Sequence, residues 1–242
     1  MGRETCRAVA SDPDLELVAA VSRMPGQVVE GVFVTEALSS LAEHRVEVAV
    51  DFTHSSVVMD DIRWCLANGI HAVVGTTGIT PENLDELRAL TTDARSNVLV
   101  ASNFAIGAVL MQQFAEEAIL HFPAAEIIEL HHDNKPEAPS GTALATARRM
   151  AAARNTRPAS PDAETVPGAR GGDVDGIRIH SVRLPGLVAH QEVIFGGRGQ
   201  TLTIRHDSTD RSSFMPGVLA AVKAVASLDG LTVGLDELLR RT

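Results

Sequence analysis

The residues best able to do chemistry lie together in one short segment, ELHHDNKPEAPSGTA, which runs from Glu129 to Ala143. It contains two adjacent histidines, His131 and His132, followed by Lys135. An imidazole gains or loses a proton near neutral pH, and a lysine ammonium supplies a positive charge beside it. The segment could therefore transfer a proton to a small molecule and hold that molecule by its negative groups.

The end of this segment is a Pro-Ser-Gly-Thr turn that opens a predicted helix. An apolar run, Ala125 to Leu130, predicts a strand that enters the segment, and the alanine-rich stretch Ala143 to Ala153 predicts a helix that leaves it. The first backbone N–H groups of a helix lack intrahelical partners and carry a partial positive charge. Ser140, Gly141 and Thr142 are therefore predicted to form a cradle for a carboxylate or a phosphate.

Two other interpretations of the segment are open. Pro139 and Ser140 are residues that commonly start a helix, in which case the histidines are ordinary surface residues. A metal site is the less favoured alternative, because adjacent histidines on a strand point to opposite faces and no Cys, Asp or Glu lies at a familiar ligand spacing. We therefore predict that the chain binds no metal.

The whole string resembles the signature of the dihydrodipicolinate reductase (4-hydroxy-tetrahydrodipicolinate reductase) family, E-x-H-H-x-x-K-x-D-A-P-S-G-T-A, as found in actinobacterial members. Every specified position matches except Glu137, where the family usually has Asp. The resemblance covers nearly the whole chain apart from its amino end. It implies that the chain reduces 4-hydroxy-tetrahydrodipicolinate to tetrahydrodipicolinate with NADPH or NADH, in diaminopimelate and lysine biosynthesis.

The resemblance also implies a role for each polar residue of the segment. His131 is expected to be the general acid, because hydride addition leaves negative charge on the substrate ring. Lys135 is expected to be the fixed positive charge and an alternative proton source. The carboxylates of the cyclic dicarboxylate substrate are expected to bind His132, Ser140, Gly141 and Thr142.

The amino-terminal part of the chain alternates short β-branched runs with helical patterns. This pattern predicts an α/β fold, a Rossmann-like, doubly wound parallel sheet whose first strand is absent. The predicted strands are Leu15 to Val21, Val46 to Val50, His71 to Val74 and Asn97 to Ala101. Thr80 and Pro81 are predicted to open a helix as its N-cap and first-turn residues.

Small, hydroxylated or glycine residues follow each of these four strands. In such sheets the ligand lies beyond the carboxyl ends of the strands, so the four loops together indicate a long polar ligand across one edge. The resemblance identifies that ligand as a nicotinamide cofactor. The residues expected to contact it are Gly2, Arg3, Ser22, Arg23, Phe52, Thr53, Gly75, Thr76, Thr77, Ala101, Ser102, Asn103 and Phe104.

The start of the sequence departs from the usual dinucleotide-binding pattern. Such a fold normally begins with a strand and a G-x-G-x-x-G loop, and here Gly2 matches only the last glycine. About a dozen residues of strand and loop are therefore expected to be missing, through a misassigned start or a truncation.

Two alternative functions stay open. The first is a truncated, non-catalytic protein that binds the dicarboxylate. The second alternative function is that of another NAD(P)-dependent amino-acid dehydrogenase, although such an enzyme should lack the combination of an HHxxK motif with an SGT turn.

The cofactor preference is predicted from the residues that follow the glycine loop. About 20 residues beyond that loop an acidic side chain would bind the ribose of NAD, whereas an arginine there accepts the phosphate of NADP. Counting from Gly2 leads to Ser22 and Arg23, with no acidic residue before Glu30. We therefore predict NADPH, with NADH also accepted as in the resembling family. The alternative is that Arg23 is only a solvated loop charge.

The sequence beyond Phe104 predicts a second, α+β domain with an open mixed sheet. Its predicted elements are a helix from Ala105 to Phe122, a Pro/Gly-rich surface loop from Arg157 to Gly176, and strands around Ile177 to Ile179, Leu187 to Phe195 and Thr201 to Arg205. A helix from Met215 to Leu228 is predicted to cross back. We therefore predict a dinucleotide-binding domain of residues 1–102 and 212–242, and a substrate-binding and oligomerisation domain of residues 103–211.

The resemblance implies a homotetramer, because the family assembles through the sheets of these second domains. The residues from Ile177 to Ile204 are rich in Ile, Leu and Val, and we expect them to present an exposed apolar sheet face that assembly would bury.

The composition disfavours several classes of partner. A formal net charge of -10 at pH 7 opposes binding to nucleic acid or anionic lipid, which need a basic face. No apolar run reaches the roughly 18 residues of a membrane span, and the start MGRETCRAVA lacks the apolar centre of a signal peptide. Cys6 and Cys65 lack the CxxC spacing of zinc or redox sites. We therefore expect a cytoplasmic protein that contacts neither nucleic acid nor membrane.

Overall fold

A computed structural model describes residues 1–154 and 163–240 of the chain. The chain divides into two compact units, which we call the first unit (Met1–Phe104 with Phe214–Thr242) and the second unit (Ala105–Ser213). The surface loop predicted from Arg157 to Gly176 lies partly outside the described residues. Within its described part, Gly172–Val174 forms a strand that the sequence analysis missed.

The first unit opens with short helices and strands that alternate along the chain. In order they are α1 (Gly2–Ser11), β1 (Ala20–Val21), β2 (Val28–Val29), β3 (Val32–Thr35), α2 (Ser40–Glu43), β4 (Val48–Asp51), α3 (Val58–Ala67), β5 (His71–Val74), α4 (Pro81–Thr92) and β6 (Val98–Val100). The strand predicted from His71 to Val74 is confirmed. Its apolar run is favoured in the centre of a sheet covered on both faces, and Val73 and Val74 are fully buried there.

The helix α4 starts where its capping residues predict. Thr80 is the N-cap, and its hydroxyl accepts a hydrogen bond from the Asn83 backbone N–H at 3.3 Å. The Asn83 side chain accepts in turn from the Thr80 N–H at 3.1 Å, so two N–H groups at the helix start are satisfied reciprocally. Pro81 follows in the first turn, where its missing N–H costs nothing.

The second unit is a five-stranded sheet covered by two helices. Its elements are α5 (Ile106–Ala118), β7 (Ala124–His131), α6 (Gly141–Ala153), β8 (Gly172–Val174), β9 (Ile177–Arg183), β10 (Ala189–Gly197) and β11 (Gln200–Ser208). The strand order is β11-β10-β7-β9-β8. β7 and β9 are parallel, whereas the other neighbours are antiparallel, so the predicted mixed sheet is confirmed.

The apolar face of this sheet packs against the helices. Ile127, Ile177, Val193 and Phe195 are fully buried together with Met150 of α6. Burial of each such side chain contributes roughly 1.5–3 kcal/mol to folding, so this face belongs to the core of the unit. The prediction of an exposed apolar face between Ile177 and Ile204 is therefore wrong for Ile177, Val193 and Phe195, whose side chains are buried against the helices. The opposite face carries partly buried Ile128, Leu130 and Ile194 among charged residues.

The chain returns to the first unit through α7 (Met215–Ala224), β12 (Leu231–Val233) and α8 (Asp236–Arg240). The predicted helix from Met215 to Leu228 thus ends earlier, with Val225–Ser227 forming one 3-10 turn. β12 pairs parallel with β6 and completes a four-stranded parallel sheet of order β12-β6-β5-β4. β12 was not predicted, because a strand of three residues shows no periodicity. Within the described ranges, no helix is long and apolar enough to cross a bilayer.

The first predicted strand is the main error in this unit. Of the run from Leu15 to Val21, only Ala20–Val21 is a strand, and it pairs with β3 in a separate three-stranded sheet of order β1-β3-β2. The hairpin of β2 and β3, which turns at Glu30 and Gly31, was not predicted because its strands are too short for a pattern. The expectation that four strands of one sheet supply the loops is therefore wrong for Ser22 and Arg23.

Candidate active site

The carboxyl ends of β4 and β5 enclose a cavity of about 230 Å³ in the first unit. Five of the predicted cofactor residues line this cavity together: Phe52, Thr53, Gly75, Thr76 and Thr77. His54 and Ser55 also line it and were not predicted, although they follow directly after the predicted loop. The cavity lies where a parallel sheet of this type binds its ligand.

Asp51 joins the two loops that form the cavity. Its Oδ1 atom accepts hydrogen bonds from the Thr53 N–H and hydroxyl, both at 2.8 Å. The same oxygen accepts from the Thr76 hydroxyl at 2.6 Å. Because Asp51 ends β4 and Thr76 follows β5, one carboxylate fixes the relative position of both loops.

Glycine is required at position 75 by close packing. A Cβ atom there would lie 2.1 Å from a ring carbon of Phe52, well inside contact distance. The Phe52 ring packs edge-on against Phe104, with ring centroids 5.8 Å apart. Gly78 follows with a φ of +90°, which disfavours other residues. The glycines thus bring backbone and an aromatic ring close to the cavity, an arrangement that fits a flat cofactor ring.

The other predicted cofactor residues lie outside this cavity. Gly2 and Arg3 begin α1, and Arg3 donates a hydrogen bond to Gln27. The hydroxyl of Ser22 accepts from the Met24 N–H, and Arg23 is exposed. The residues after β6 differ in exposure: Ala101 and Phe104 are buried, Asn103 is partly buried and Ser102 is exposed.

Asp61 lies beside Asp51 and carries a perturbed pKa. Burial first, and then the charge and hydrogen bonding of Asp51, raise the pKa of Asp61 from 3.8 to about 6, although a hydrogen bond from Thr53 opposes the rise. The hydroxyl of Thr53 is 3.5 Å from Asp61 Oδ2. Since the native pKa exceeds the ordinary value, the favourable contribution of Asp61 to stability is complete below about pH 4 and disappears as the pH rises through about 6.

We expect the substitution Asp61→Asn to stabilise the protein near neutral pH. A shift of about two pKa units is worth at most about 3 kcal/mol, and partial exposure reduces the expected gain in unfolding free energy to roughly 1–2 kcal/mol. Urea denaturation between about pH 4 and pH 8 measures it. The matched control is Asp60→Asn, because Asp60 is adjacent and exposed and pairs with Arg63 at 2.6 Å. Equal pH dependence of wild type and Asp61→Asn would contradict the assignment.

The predicted signature segment adopts the expected local structure in the second unit. His131 is the last residue of β7, and His132 follows it in an exposed position. The helix α6 begins at Gly141, and its N-cap is Ser140, whose hydroxyl accepts from the Ala143 N–H at 3.2 Å. The predicted helix start is therefore confirmed. Gly141 is exposed, and Thr142 is partly buried.

A buried carboxylate, Glu129, connects the parts of the segment. It is fully buried, and it is 2.5 Å from His131 Nδ1. Its oxygens also accept from two nitrogens of Arg183 at 3.0 and 2.8 Å and from the Ser140 N–H at 3.3 Å. Burial alone would raise the pKa of Glu129, but hydrogen bonds from His131, Arg183 and Ser181 outweigh it and lower the pKa from 4.5 to about 2. Glu129 is therefore ionised at neutral pH.

Arg183 reaches the same segment from the neighbouring strand β9. The parallel register pairs His131 with Arg183. The Arg183 guanidinium donates to the backbone carbonyls of Lys135 at 3.3 Å and Glu137 at 2.6 Å. These bonds are in addition to those with the Glu129 carboxylate. Neither Glu129 nor Arg183 was predicted to have a role. Glu129 stood in the matched signature, whereas nothing in the sequence connects Arg183 to a segment more than 40 residues earlier.

Lys135 lies on the loop between β7 and α6. Its ammonium is 3.3 Å from Glu137 Oε2, and that carboxylate is 72% exposed. An exposed ion pair of this kind contributes less than about 1 kcal/mol, so its ammonium is readily released to a ligand. Among the residues that the structure describes, no group of three His, Cys, Asp or Glu side chains is placed to hold a metal ion.

A similar carboxylate cluster lies on the opposite face of the sheet. Glu126, also on β7, accepts from His180 at 2.8 Å and from Arg170. Strand alternation places Glu126 and Glu129 on different faces of β7. The second cluster is therefore separated by the sheet from the contacts that Glu129 makes in the signature segment. It provides matched control residues for the tests below.

The fold and these two sites define a class of protein: an oxidoreductase with a Rossmann-like parallel sheet and a second, mixed-sheet unit. Comparison with known proteins identifies the family. Residues 1–104 match the domain family "Dihydrodipicolinate reductase, N-terminus", and residues 107–239 match "Dihydrodipicolinate reductase, C-terminus". The chain therefore belongs to the dihydrodipicolinate reductase family.

Individual members of this family are similar to the chain over most of their length. The 4-hydroxy-tetrahydrodipicolinate reductase of Mycolicibacterium vanbaalenii is 56% identical over 212 residues, which is 86% of each chain. That of Nocardia farcinica is 53% identical and covers 99% of this chain and 94% of its own. A dipicolinate-bound dihydrodipicolinate reductase from Paenisporosarcina sp. TG-14 superposes with a TM-score of 0.88 at 42% identity, covering 98% of this chain and 94% of its own.

More distant structures share the fold alone, such as a probable dehydrogenase from Thermotoga maritima with a TM-score of 0.65 at 10% identity. The resemblance noted in the sequence is thus confirmed. The chain is an oxidoreductase that reduces 4-hydroxy-tetrahydrodipicolinate with a nicotinamide cofactor, a step of diaminopimelate and lysine biosynthesis.

Proposed function

We propose that the first unit holds the cofactor, that the second unit holds a small cyclic dicarboxylate, and that His131 is the general acid. The observation that carries this proposal is the contact between His131 Nδ1 and the buried carboxylate of Glu129. It orients the imidazole through Nδ1, so Nε2 is the nitrogen that we assign to exchange a proton with a ligand. The dipicolinate bound to the Paenisporosarcina relative supports a dicarboxylate as the substrate class.

The chemical roles follow from the charges that the reaction develops. The nicotinamide cofactor, when bound, supplies a hydride to the substrate ring. The 4-hydroxyl group of the substrate leaves as water, which gives the conjugated ring that accepts the hydride. The reduced ring then carries negative charge, and His131 neutralises it by donating a proton. Lys135 places a positive charge next to the same region and stabilises the charge before the proton arrives. Lys135 is also the alternative proton donor.

The substrate carboxylates are assigned to the start of α6 and the residue after β7. Gly141 and Thr142 are the first residues of the helix, where backbone N–H groups attract anions. His132 is exposed on the loop that leads to this helix, and it adds a hydrogen-bond donor. Ser140 donates its N–H to Glu129, and its hydroxyl oxygen accepts from the Ala143 N–H. Its O–H can still donate, so we keep Ser140 among the residues assigned to the substrate carboxylates.

The cofactor site is assigned to the cavity at the ends of β4 and β5 and to the flanking predicted residues. Thr77 offers a hydroxyl donor to a polar ligand, and Gly75 permits close approach. The hydroxyls of Thr53 and Thr76 donate to Asp51, so they offer acceptor oxygens instead. The remaining members of the proposed site are Gly2, Arg3, Ser22, Arg23, Phe52, Ala101, Ser102, Asn103 and Phe104. The proposed domains keep their predicted limits, residues 1–102 with 212–242 for cofactor and residues 103–211 for substrate.

We propose NADPH as the preferred cofactor, with NADH also accepted. Arg23 is exposed, and it lies about 20 residues after Gly2, the spacing at which the ribose group is selected in such folds. The substitution Arg23→Ala is expected to raise the KM for NADPH about tenfold, since one hydrogen bond to a charged group is worth about 1.5 kcal/mol. The KM for NADH should change by less than about twofold. Steady-state kinetics with both cofactors measure this, with exposed Arg95→Ala as control. An equal rise in both KM values would contradict the assignment.

We also propose that the chain forms a homotetramer through the face of the second sheet opposite the helices. Ile128, Leu130 and Ile194 share this face and are only partly buried. Sedimentation velocity tests the assembly directly, and a monomer at micromolar concentration would exclude it.

The overall function is tested by following NADPH absorbance with freshly prepared 4-hydroxy-tetrahydrodipicolinate. Oxidation that depends on this substrate, and that dipicolinate inhibits, is the expected result. Oxidation of neither NADPH nor NADH would overturn the proposal.

A further inference from the structure

We propose that Glu129 and Arg183 are positioning residues that hold the proton donor, the lysine loop and the helix N-cap of the second unit in one geometry. This inference rests on the proposed roles of His131 and Lys135. Neither residue is assigned to touch the substrate, so both act through their neighbours.

Glu129 has the burial and the contacts of a built site. A buried carboxylate is costly unless it is paired and hydrogen-bonded, and Glu129 is fully buried. Its donors come from three separate places: His131 on its own strand, Arg183 and Ser181 on β9, and the Ser140 N–H at the start of α6. Removal of the charge therefore affects all three together.

Arg183 has no donor left for a ligand. A guanidinium offers five N–H donors. Nε donates to Lys135 O, one terminal nitrogen to Glu129 Oε2 and Val182 O, and the other to Glu129 Oε1 and Glu137 O. All five contacts are within the protein, so Arg183 clamps the loop that carries Lys135 and does not bind a substrate carboxylate.

The carboxylate also determines which nitrogen of His131 carries a proton. An ionised Glu129 can only accept a hydrogen bond, so Nδ1 of His131 must be the donor. In the neutral imidazole Nε2 is then unprotonated, and it receives the proton that His131 later donates. This is the orienting function that a buried carboxylate performs for histidine in other enzymes.

Glu129→Gln tests the inference because it keeps the shape and removes the charge. We expect kcat to fall by about 10²-fold, as for loss of an oriented proton donor, while the dissociation constant of NADPH changes less than about twofold. Arg183→Lys, which cannot form the five contacts, is expected to raise the KM for the dicarboxylate about tenfold through the released loop, with a smaller fall in kcat. Dipicolinate affinity, measured by calorimetry, should weaken in parallel.

Glu126→Gln is the matched control. Glu126 lies on the same strand and holds a histidine and an arginine, but on the other face. Glu126 shares the face proposed for assembly, so sedimentation velocity first verifies that the variant assembles as the wild type does. Both kcat and KM should then stay within about twofold of the wild type. If Glu129→Gln retained wild-type kcat, or if Glu126→Gln lost as much, the inference would be overturned.

A measurement on the wild type keeps the test independent of how the variants fold. Nitrogen-15 NMR of the histidine rings, with the His131 signal assigned by its loss in His131→Gln, reports which nitrogen is protonated in the neutral form. A proton on Nδ1 is expected, and a proton on Nε2 would overturn the inference. Absence of wild-type turnover would instead overturn the proposed function, so the two failures are distinguishable.

Discussion

Replacing His131 with Gln is expected to lower kcat by about 10²–10⁴-fold, the range that a positioned general acid contributes. Glutamine is close in size, and its amide can still donate to Glu129, so the local packing is preserved. It cannot release a proton at neutral pH. The negative charge that develops on the substrate ring must then be neutralised by Lys135 or by water, which are less well placed.

The measurement is stopped-flow or steady-state oxidation of NADPH with freshly prepared substrate. Binding of dipicolinate should weaken only a few fold, because His131 is assigned to the chemical step and not to a carboxylate. The control is His180→Gln, since His180 is also hydrogen-bonded to a glutamate of β7 but lies on the opposite face. Wild-type kcat in His131→Gln, or an equal loss in His180→Gln, would exclude His131 as the acid.

Replacing Lys135 with Gln is expected to lower kcat/KM by about 10²–10³-fold, the loss measured when one group that stabilises developing charge is removed. Among the residues that the structure describes, the ammonium of Lys135 pairs with the exposed carboxylate of Glu137 alone, at 3.3 Å, so little of its charge is neutralised within the protein. That charge is available to an anionic ring and its carboxylates. We therefore expect both KM and kcat to change.

The variant Lys135→Arg separates charge from proton transfer. Arginine keeps the positive charge but does not release a proton, so a kcat close to that of the wild type would show that Lys135 acts by charge alone. The control is Lys223→Gln in the first unit, where the ammonium is 2.8 Å from both Asp12 and Asp14. Unchanged kcat/KM in Lys135→Gln would remove this residue from the site.

Both units use a buried or partly buried carboxylate to join segments that carry functional residues. Asp51 holds the loops after β4 and β5 through Thr53 and Thr76. Glu129 holds the end of β7, the start of α6 and the Arg183 side chain. In each unit the residues proposed to bind a ligand are therefore oriented by a carboxylate that is bonded within the protein, which lowers the entropic cost of forming the proposed site.

The sequence by itself determined the features that depend on local structure. The strand from His71 to Val74, the cap of α4 at Thr80 and the start of α6 after Ser140 were predicted correctly. These features follow from apolar runs, capping hydrogen bonds and helix propensity within a few residues. The family, and with it the reaction, followed from a signature that is contiguous in the chain.

Only the tertiary structure decided which distant residues meet. The parallel register of β7 and β9 brings Arg183 to Glu129, and the pairing of β4 with β5 brings Thr76 to Asp51. The same long-range pairing placed β1 in a separate sheet. Strand register is set by the burial of whole faces and not by the residues at either end, so no local pattern encodes these contacts.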